Sequence, residues 1–129
     1  MIVLDASAVL EVLLRTPTAK TLESRLFDPA ETLHAPHLLD IEIAQVLRRY
    51  AAAGEDAARC RAALTDLIDL PIIRYPHDFL LPRVWELRHN LTAYDAVYVA
   101  LAEALDATLL TRDQRLASAP LHSAQVEVV

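Results

Sequence analysis

The sequence has 129 residues, a length typical of one domain, and 54% of them are hydrophobic, which is enough to form a core. One cysteine and one glycine exclude an internal disulfide, a Cys-rich metal site, the Walker loop, the dinucleotide-binding fingerprint and the Gly-x-Ser-x-Gly elbow. The net charge of −6 argues against binding to nucleic acid through a broad basic face, although eleven arginines against one lysine leave room for local basic patches.

No sequence feature directs the chain to a membrane or out of the cell. No apolar run approaches the roughly 18–20 residues of a membrane span. The first residues, Met1–Asp5, lack the basic region of a signal peptide, and Asp5 and Glu11 interrupt the apolar stretch. We therefore expect a cytoplasmic protein with no membrane partner.

Hydrophobic patterning in the first half of the chain predicts two strands and four helices. In chain order these are a buried strand Ile2–Leu4, a helix capped by Ser7 that runs to about Leu14, a helix from Thr18 to about Phe27, a strand Thr32–Ala35, a helix that Pro36 opens and Gly54 ends, and a helix Glu55–Leu70. The last helix carries one apolar stripe, which consists of Ala57, Cys60, Leu64, Leu67 and Ile68.

The second half continues the alternation of strands and helices. In chain order it predicts a strand Pro71–Tyr75, a helix from Asp78 to about His89, a helix that Thr92 caps and that runs to Leu105, a strand Thr108–Thr111 and a last strand Val126–Val129. This alternation favours a parallel sheet with helices on both faces, within a single domain covering residues 1–129. In such sheets, ligands bind beyond the carboxyl ends of the strands.

Four acidic residues stand where a solvated surface acid would not be expected. Asp5 directly follows the first strand, and Asp113 lies two residues beyond the fourth, so both belong at the carboxyl edge of the sheet. Glu42 and Asp95 each lie within an otherwise apolar helix face. Carboxylates that converge in one cleft repel one another and lose solvation. A hard divalent cation such as Mg²⁺ or Mn²⁺ would neutralise them and would support phosphoryl chemistry.

Each of these residues also has a purely structural interpretation, and the sequence leaves both open. Asp95 could complete a capping box with Thr92, and Asp5 could simply end a strand. Asp113 could cap a helix, and Glu42 could pair with an arginine such as Arg48 or Arg49. The hydroxyls of Ser7 and Thr111 could cap helices or orient metal-bound water.

Four segments together resemble the PIN-domain ribonucleases and, within them, the VapC-type toxins of bacterial VapBC toxin–antitoxin pairs. The resemblance extends from Ile2 to about Leu116, and order, spacing and length all agree. The segments are Ile2-Val-Leu-Asp5-Ala-Ser7, Leu39-Asp-Ile-Glu42-Ile-Ala-Gln-Val-Leu-Arg-Arg49, Leu91-Thr-Ala-Tyr-Asp95-Ala-Val-Tyr-Val-Ala100 and Leu109-Leu-Thr-Arg-Asp113.

The resemblance implies a three-layer α/β/α sandwich with a central, mostly parallel sheet. It implies that the family's acidic quartet, which holds Mg²⁺ or Mn²⁺, corresponds to Asp5, Glu42, Asp95 and Asp113, with Ser7 and Thr111 as auxiliary hydroxyls. It implies cleavage of single-stranded or loop RNA, such as a tRNA or rRNA, a VapB-type antitoxin partner and a homodimer. Besides the quartet, Arg112, Arg88 and Asn90 are candidates for substrate contacts.

Three functional hypotheses compete. The first is a metal-dependent endoribonuclease that acts as a toxin. The second is a non-catalytic PIN-like module that binds RNA or protein, and the four mutually repelling carboxylates argue against it because binding alone does not require them. A third, a related nuclease acting on DNA or in RNA processing, would need additional nucleic-acid-binding domains for which 129 residues leave no room.

Overall fold

A computed structural model describes residues 1–120 and 122–129 and contains a five-stranded, all-parallel sheet. The strands are β1 (Ile2–Leu4), β2 (Leu33–Pro36), β3 (Ile72–Tyr75), β4 (Thr108–Thr111) and β5 (Gln125–Val128), in the spatial order β3-β2-β1-β4-β5. The central strand β1 is a continuous apolar run that is buried throughout, as expected for a parallel strand covered on both faces.

In the part of the chain that the structure describes, seven α-helices surround the sheet. They are α1 (Ala6–Leu13), α2 (Ala19–Leu26), α3 (Leu38–Ala52), α4 (Ala57–Asp69), α5 (Leu81–Glu86), α6 (Ala93–Leu105) and α7 (Gln114–Ser118), with a 3₁₀ turn at Asp78–Leu80 before α5. Helices α1, α3 and α4 contact one another, whereas α5 packs on α6, and α6 in turn packs across β1, β2 and β4. The predicted α/β class with a parallel central sheet is confirmed.

The strand order creates a topological switch point beside β1. The chain leaves β1 towards β2 and β3, and then returns to the other side of β1 to form β4. Register pairs Leu4 with Leu110, so the carboxyl ends of these two strands lie side by side. Open parallel sheets bind ligands at such a point, because the diverging connections leave a crevice there.

Several predicted element boundaries are corrected by the structure. Ser7 lies inside α1 and does not cap it, because its hydroxyl bonds to Asp5, which is itself the N-cap residue. Pro36 ends β2 instead of opening a helix, since its ring fixes φ without preventing an extended conformation. The apolar stripe of α4 is rotated towards Ala63, and Ile68 is 75% exposed. The predicted elements do not include α7, although the sequence leaves open that Asp113 caps a helix at this place.

Other predictions agree with the structure. Thr92 caps α6 by accepting the Asp95 backbone N–H at 3.2 Å. Gly54 follows α3 with φ of +103°, a conformation that side-chain-bearing residues rarely adopt. Within the described residues, no helix combines the length and the apolar character needed to cross a membrane.

The buried centre of β4 provides a test of how strongly the sheet core stabilises the fold. Leu109 is fully buried, so Leu109→Ala should lower the free energy of unfolding by about 2–5 kcal/mol through lost burial and a residual cavity. The control Ile68→Ala truncates an exposed side chain and should change it by less than about 0.5 kcal/mol. Urea denaturation measures both, and equal losses would contradict the assigned burial.

Candidate functional site

The four acidic residues predicted from the sequence belong to the carboxyl edge of the sheet, around the switch point. Asp5 follows β1, and Asp113 follows β4. Glu42 lies in the second turn of α3, the helix that follows β2, and Asp95 lies in the first turn of α6. Two strand–helix connections and the early turns of two helices therefore supply one carboxylate each.

Asp5 is buried and is held by two hydroxyl groups. Its Oδ2 accepts hydrogen bonds from Ser7 Oγ at 3.0 Å and from Thr111 Oγ1 at 2.6 Å. Both hydroxyl oxygens in turn accept backbone N–H groups, Ser7 from Arg112 at 2.9 Å and Thr111 from Asp113 at 2.9 Å. These two bonds hold the Asp5 carboxylate in one orientation, and neither of them uses Oδ1.

Glu42 is an acid whose carboxyl group includes a buried oxygen without a normal hydrogen-bond donor. Its Oε1 is buried and has no hydrogen-bond partner of normal geometry among the described residues. The nearby Tyr98 hydroxyl is likewise buried and has no such partner. Burial raises the pKa of Glu42 to about 7, with Asp5 and Asp95 adding to the increase and Tyr98 opposing it. A buried oxygen without a donor is an available ligand for a cation.

Asp95 combines a capping environment with a role in the acidic cluster. Its backbone N–H bonds to Thr92, as the structural interpretation of this residue requires. Its carboxyl pKa is nevertheless raised, first by burial and then by the negative charges of Asp5 and Asp113. Thr92 therefore caps α6 through the Asp95 backbone, while the Asp95 carboxyl lies close enough to Asp5 and Asp113 for their charges to raise its pKa.

Asp113 is paired with an arginine that sequence reasoning missed. Asp113 caps α7, as the structural interpretation anticipated, by accepting the Arg115 backbone N–H at 2.9 Å. The Arg115 guanidinium also donates hydrogen bonds to both carboxylate oxygens, at 2.6–3.1 Å. These hydrogen bonds lower the pKa of Asp113. The signal available in the sequence was the Asp113–Arg115 spacing across a helix start.

The carboxylate oxygens of the four acids are ligands that suit a hard divalent cation, although they do not form a complete coordination site in this structure. Asp5, Glu42 and Asp95 influence one another electrostatically, and Asp113 influences Asp95. Within residues 1–120 and 122–129, no group of three or more His, Cys, Asp or Glu side chains is positioned to hold a metal ion as it stands. Like-charge repulsion acts against closer approach of the carboxylates.

The three polar residues predicted to contact substrate lie on the surface, and two of them have internal partners. Arg112 donates to Thr18 Oγ1 at 3.3 Å and to the Val129 carbonyl at 3.1 Å, and it faces Glu11 at 3.4 Å. Arg88 lies 4.5 Å above the Trp85 ring and donates to the Trp85 carbonyl. Asn90 is exposed in the turn before α6.

Comparison with known proteins assigns the chain to a family. The PIN domain family model matches residues 2–120. VapC ribonuclease Mb0985 of Mycobacterium bovis and Ribonuclease VapC9 of Mycobacterium tuberculosis are each 48% identical, over all of this chain and 98% of theirs. Ribonuclease VapC1 of Mycobacterium tuberculosis is 45% identical over 98% of this chain and 96% of its own. The chain belongs to the PIN-domain family and, within it, to the VapC group.

Solved structures share the same fold. VapBC2 from Rickettsia felis, crystallised with a promoter DNA fragment, matches with a TM-score of 0.74 at 15% identity, over 99% of this chain and 98% of that one. PAE2754 from Pyrobaculum aerophilum matches with a TM-score of 0.71 at 27% identity, over 98% and 83%. Mycobacterium tuberculosis VapC20, described as a toxin that cleaves the sarcin–ricin loop, matches with 0.70 at 17%, over 92% and 94%.

The raised pKa of Glu42 makes the stability of the metal-free chain depend on pH. Because the folded-state pKa exceeds the unfolded value, the stability that protonated Glu42 contributes is complete below about pH 4.5 and is lost as pH rises through about 7. Glu42→Gln should therefore stabilise the chain by about 1–3 kcal/mol at pH 8 and have little effect at pH 4.5.

Urea denaturation in EDTA at the two pH values measures this difference. The control Glu55→Gln removes an exposed carboxylate outside the acidic cluster and should have the same small effect at both. An effect of Glu42→Gln that does not change with pH would contradict the assigned environment.

Proposed function

We propose that this chain is a divalent-metal-dependent endoribonuclease that hydrolyses phosphodiester bonds in single-stranded or loop RNA, and that it acts as the toxin of a VapBC pair. The observation that carries the proposal is the placement of Asp5 and Asp113 at the carboxyl ends of the two strands beside the switch point, with Glu42 and Asp95 in early turns of α3 and α6. The relatives named as VapC ribonucleases, at 45–48% identity over nearly the whole chain, support it.

Mg²⁺ or Mn²⁺ is the cofactor that we propose for the quartet. The four carboxylates would hold the ion. Glu42 Oε1, which is buried without a hydrogen-bond partner, would gain a partner by coordinating it. When bound, such an ion supplies a polarised water and charge stabilisation for the scissile phosphate. Ser7 and Thr111 keep Asp5 in a single orientation, and one carboxylate of the set accepts the proton that the attacking water loses.

The proposal also covers the substrate, the inhibitor, the oligomeric state and the cellular compartment. The substrate is a tRNA or rRNA segment, and the inhibitor is a VapB-type antitoxin, in line with solved relatives that are VapBC complexes. We further propose that residues 1–129 act as a single PIN-like domain in the cytoplasm and that the toxin forms a homodimer. Arg88, Asn90 and Arg112 remain predicted substrate contacts.

Cleavage by the chain purified free of partner provides the direct test. The chain is incubated with total tRNA and rRNA in Mg²⁺, in Mn²⁺ and in EDTA, and new 5′ ends are mapped. We expect cuts at few sites that require the metal. Metal binding without cleavage would indicate that the substrate is narrower than these RNAs, whereas absence of both would favour the non-catalytic binding module.

Variants of the quartet test the assignment of its residues. Asp5→Asn and Asp95→Asn should each reduce cleavage by roughly hundredfold or more, because each removes an anionic ligand while keeping the side-chain shape. The control Asp69→Asn neutralises an exposed acid of α4 and should leave cleavage unchanged. Full activity and unaltered Mn²⁺ binding in Asp95→Asn would return this residue to a capping role alone.

A further inference from the structure

Arg115 is the cation that faces the acidic cluster in the part of the chain that the structure describes. Its guanidinium donates to Asp113 Oδ1 at 3.0 Å and to Oδ2 at 3.1 and 2.6 Å, and its charge also acts on Asp95. No lysine or histidine interaction is found at these two carboxylates among the described residues. Arg115 therefore supplies part of the neutralisation that the four carboxylates need.

The contact between Arg115 and Asp113 is well formed but easily exchanged. The Arg115 side chain is 83% exposed, and within the described residues Asp113 is the only partner of its guanidinium. Exposed ion pairs contribute little to stability, because water solvates both groups when they separate. A divalent cation that binds Asp113 would compete directly with this pair for the same two oxygens.

The two arginines predicted to contact substrate are less able to exchange than Arg115. Arg112 is held by Thr18, Glu11 and the Val129 carbonyl, and Arg88 lies against Trp85. Arginine is also the side chain best suited to a phosphate, because its planar fork donates two parallel hydrogen bonds. The same fork geometry that binds the Asp113 carboxylate matches the two non-bridging oxygens of a phosphodiester.

We propose that Arg115 is an exchangeable counter-ion: it neutralises Asp113 in the metal-free chain and, once a divalent cation takes Asp113, it binds a backbone phosphate of the RNA. The proposal rests on the proposed function and adds to it a phosphate-binding residue outside the acidic quartet. It makes metal binding and RNA binding at this edge interdependent, because the Arg115 guanidinium pairs with Asp113 before the metal binds and with the RNA phosphate afterwards.

Metal binding without RNA is the first test. Calorimetric titration of Mn²⁺ into the RNA-free chain should show that Arg115→Gln binds Mn²⁺ roughly two- to fivefold more tightly than wild type, because a competing cation is gone. Arg115→Lys, which keeps the charge without the fork, should lie between the two. The control Arg61→Gln removes an exposed arginine of α4 and should match wild type.

RNA binding is the second test, in which the effect of Arg115→Gln on tRNA affinity is compared between EDTA and Ca²⁺. Fluorescence anisotropy with labelled bulk tRNA is recorded in EDTA and in Ca²⁺, a hard cation with oxygen-ligand preference, with tRNA integrity checked on gels. Arg115→Gln should weaken binding about tenfold in Ca²⁺ and reduce the slope of log K against log salt by roughly 0.7, while in EDTA it should have little effect. Arg61→Gln should show no such difference between the two conditions.

The outcomes separate this inference from the proposed function. If wild type binds Mn²⁺ and cleaves RNA, but Arg115→Gln leaves both Mn²⁺ affinity and tRNA affinity unchanged, Arg115 is a surface ion pair and only this inference is overturned. Equal weakening of tRNA binding in EDTA and in Ca²⁺ would also overturn it, because exchange requires the metal. If wild type neither binds Mn²⁺ nor cleaves, the proposed function fails first.

Discussion

The hydrogen bonds from Ser7 and Thr111 to a single oxygen of Asp5 join the ends of β1 and β4, and the rest of the site is built around them. Asp5 is buried, so its charge requires donors at short range. The two hydroxyls supply them and also accept the backbone N–H groups of Arg112 and Asp113, which fixes the loop beyond β4. One buried carboxylate thereby organises both sides of the switch point.

The scaffold around this point tolerates charge because its strands are otherwise apolar. Residues of β1 and the centre of β4 are fully buried, and α6 presents a continuous buried segment, Ala96–Ala102, to the sheet. Burial of this apolar surface stabilises the fold and offsets the repulsion among the carboxylates. Each acid lies at a strand end or in an early helical turn, so the carboxylates gather at one edge of the sheet, although Asp5 and the Oε1 atom of Glu42 are buried there.

Much of this arrangement was predictable because it depends on local patterns. Apolar runs gave β1 and β4, and the acid after each gave Asp5 and Asp113 their edge positions. The rotation of α4, with Ala63 buried and Ile68 exposed, was not predictable because tertiary packing selects one of several apolar stripes. Arg115 was missed for a related reason. An arginine two residues beyond an acid is ordinary in sequence, and only the start of α7 turns its fork back onto Asp113.

The same charge balance explains how a chain with a net charge of −6 can act on a polyanion. A broad basic face would attract RNA everywhere and bind it non-specifically. Here the attraction is confined to the edge of the sheet, where a divalent cation and the released Arg115 would together present positive charge only after the metal has bound. Affinity for RNA and readiness for catalysis would then arise together, from the same metal-binding step.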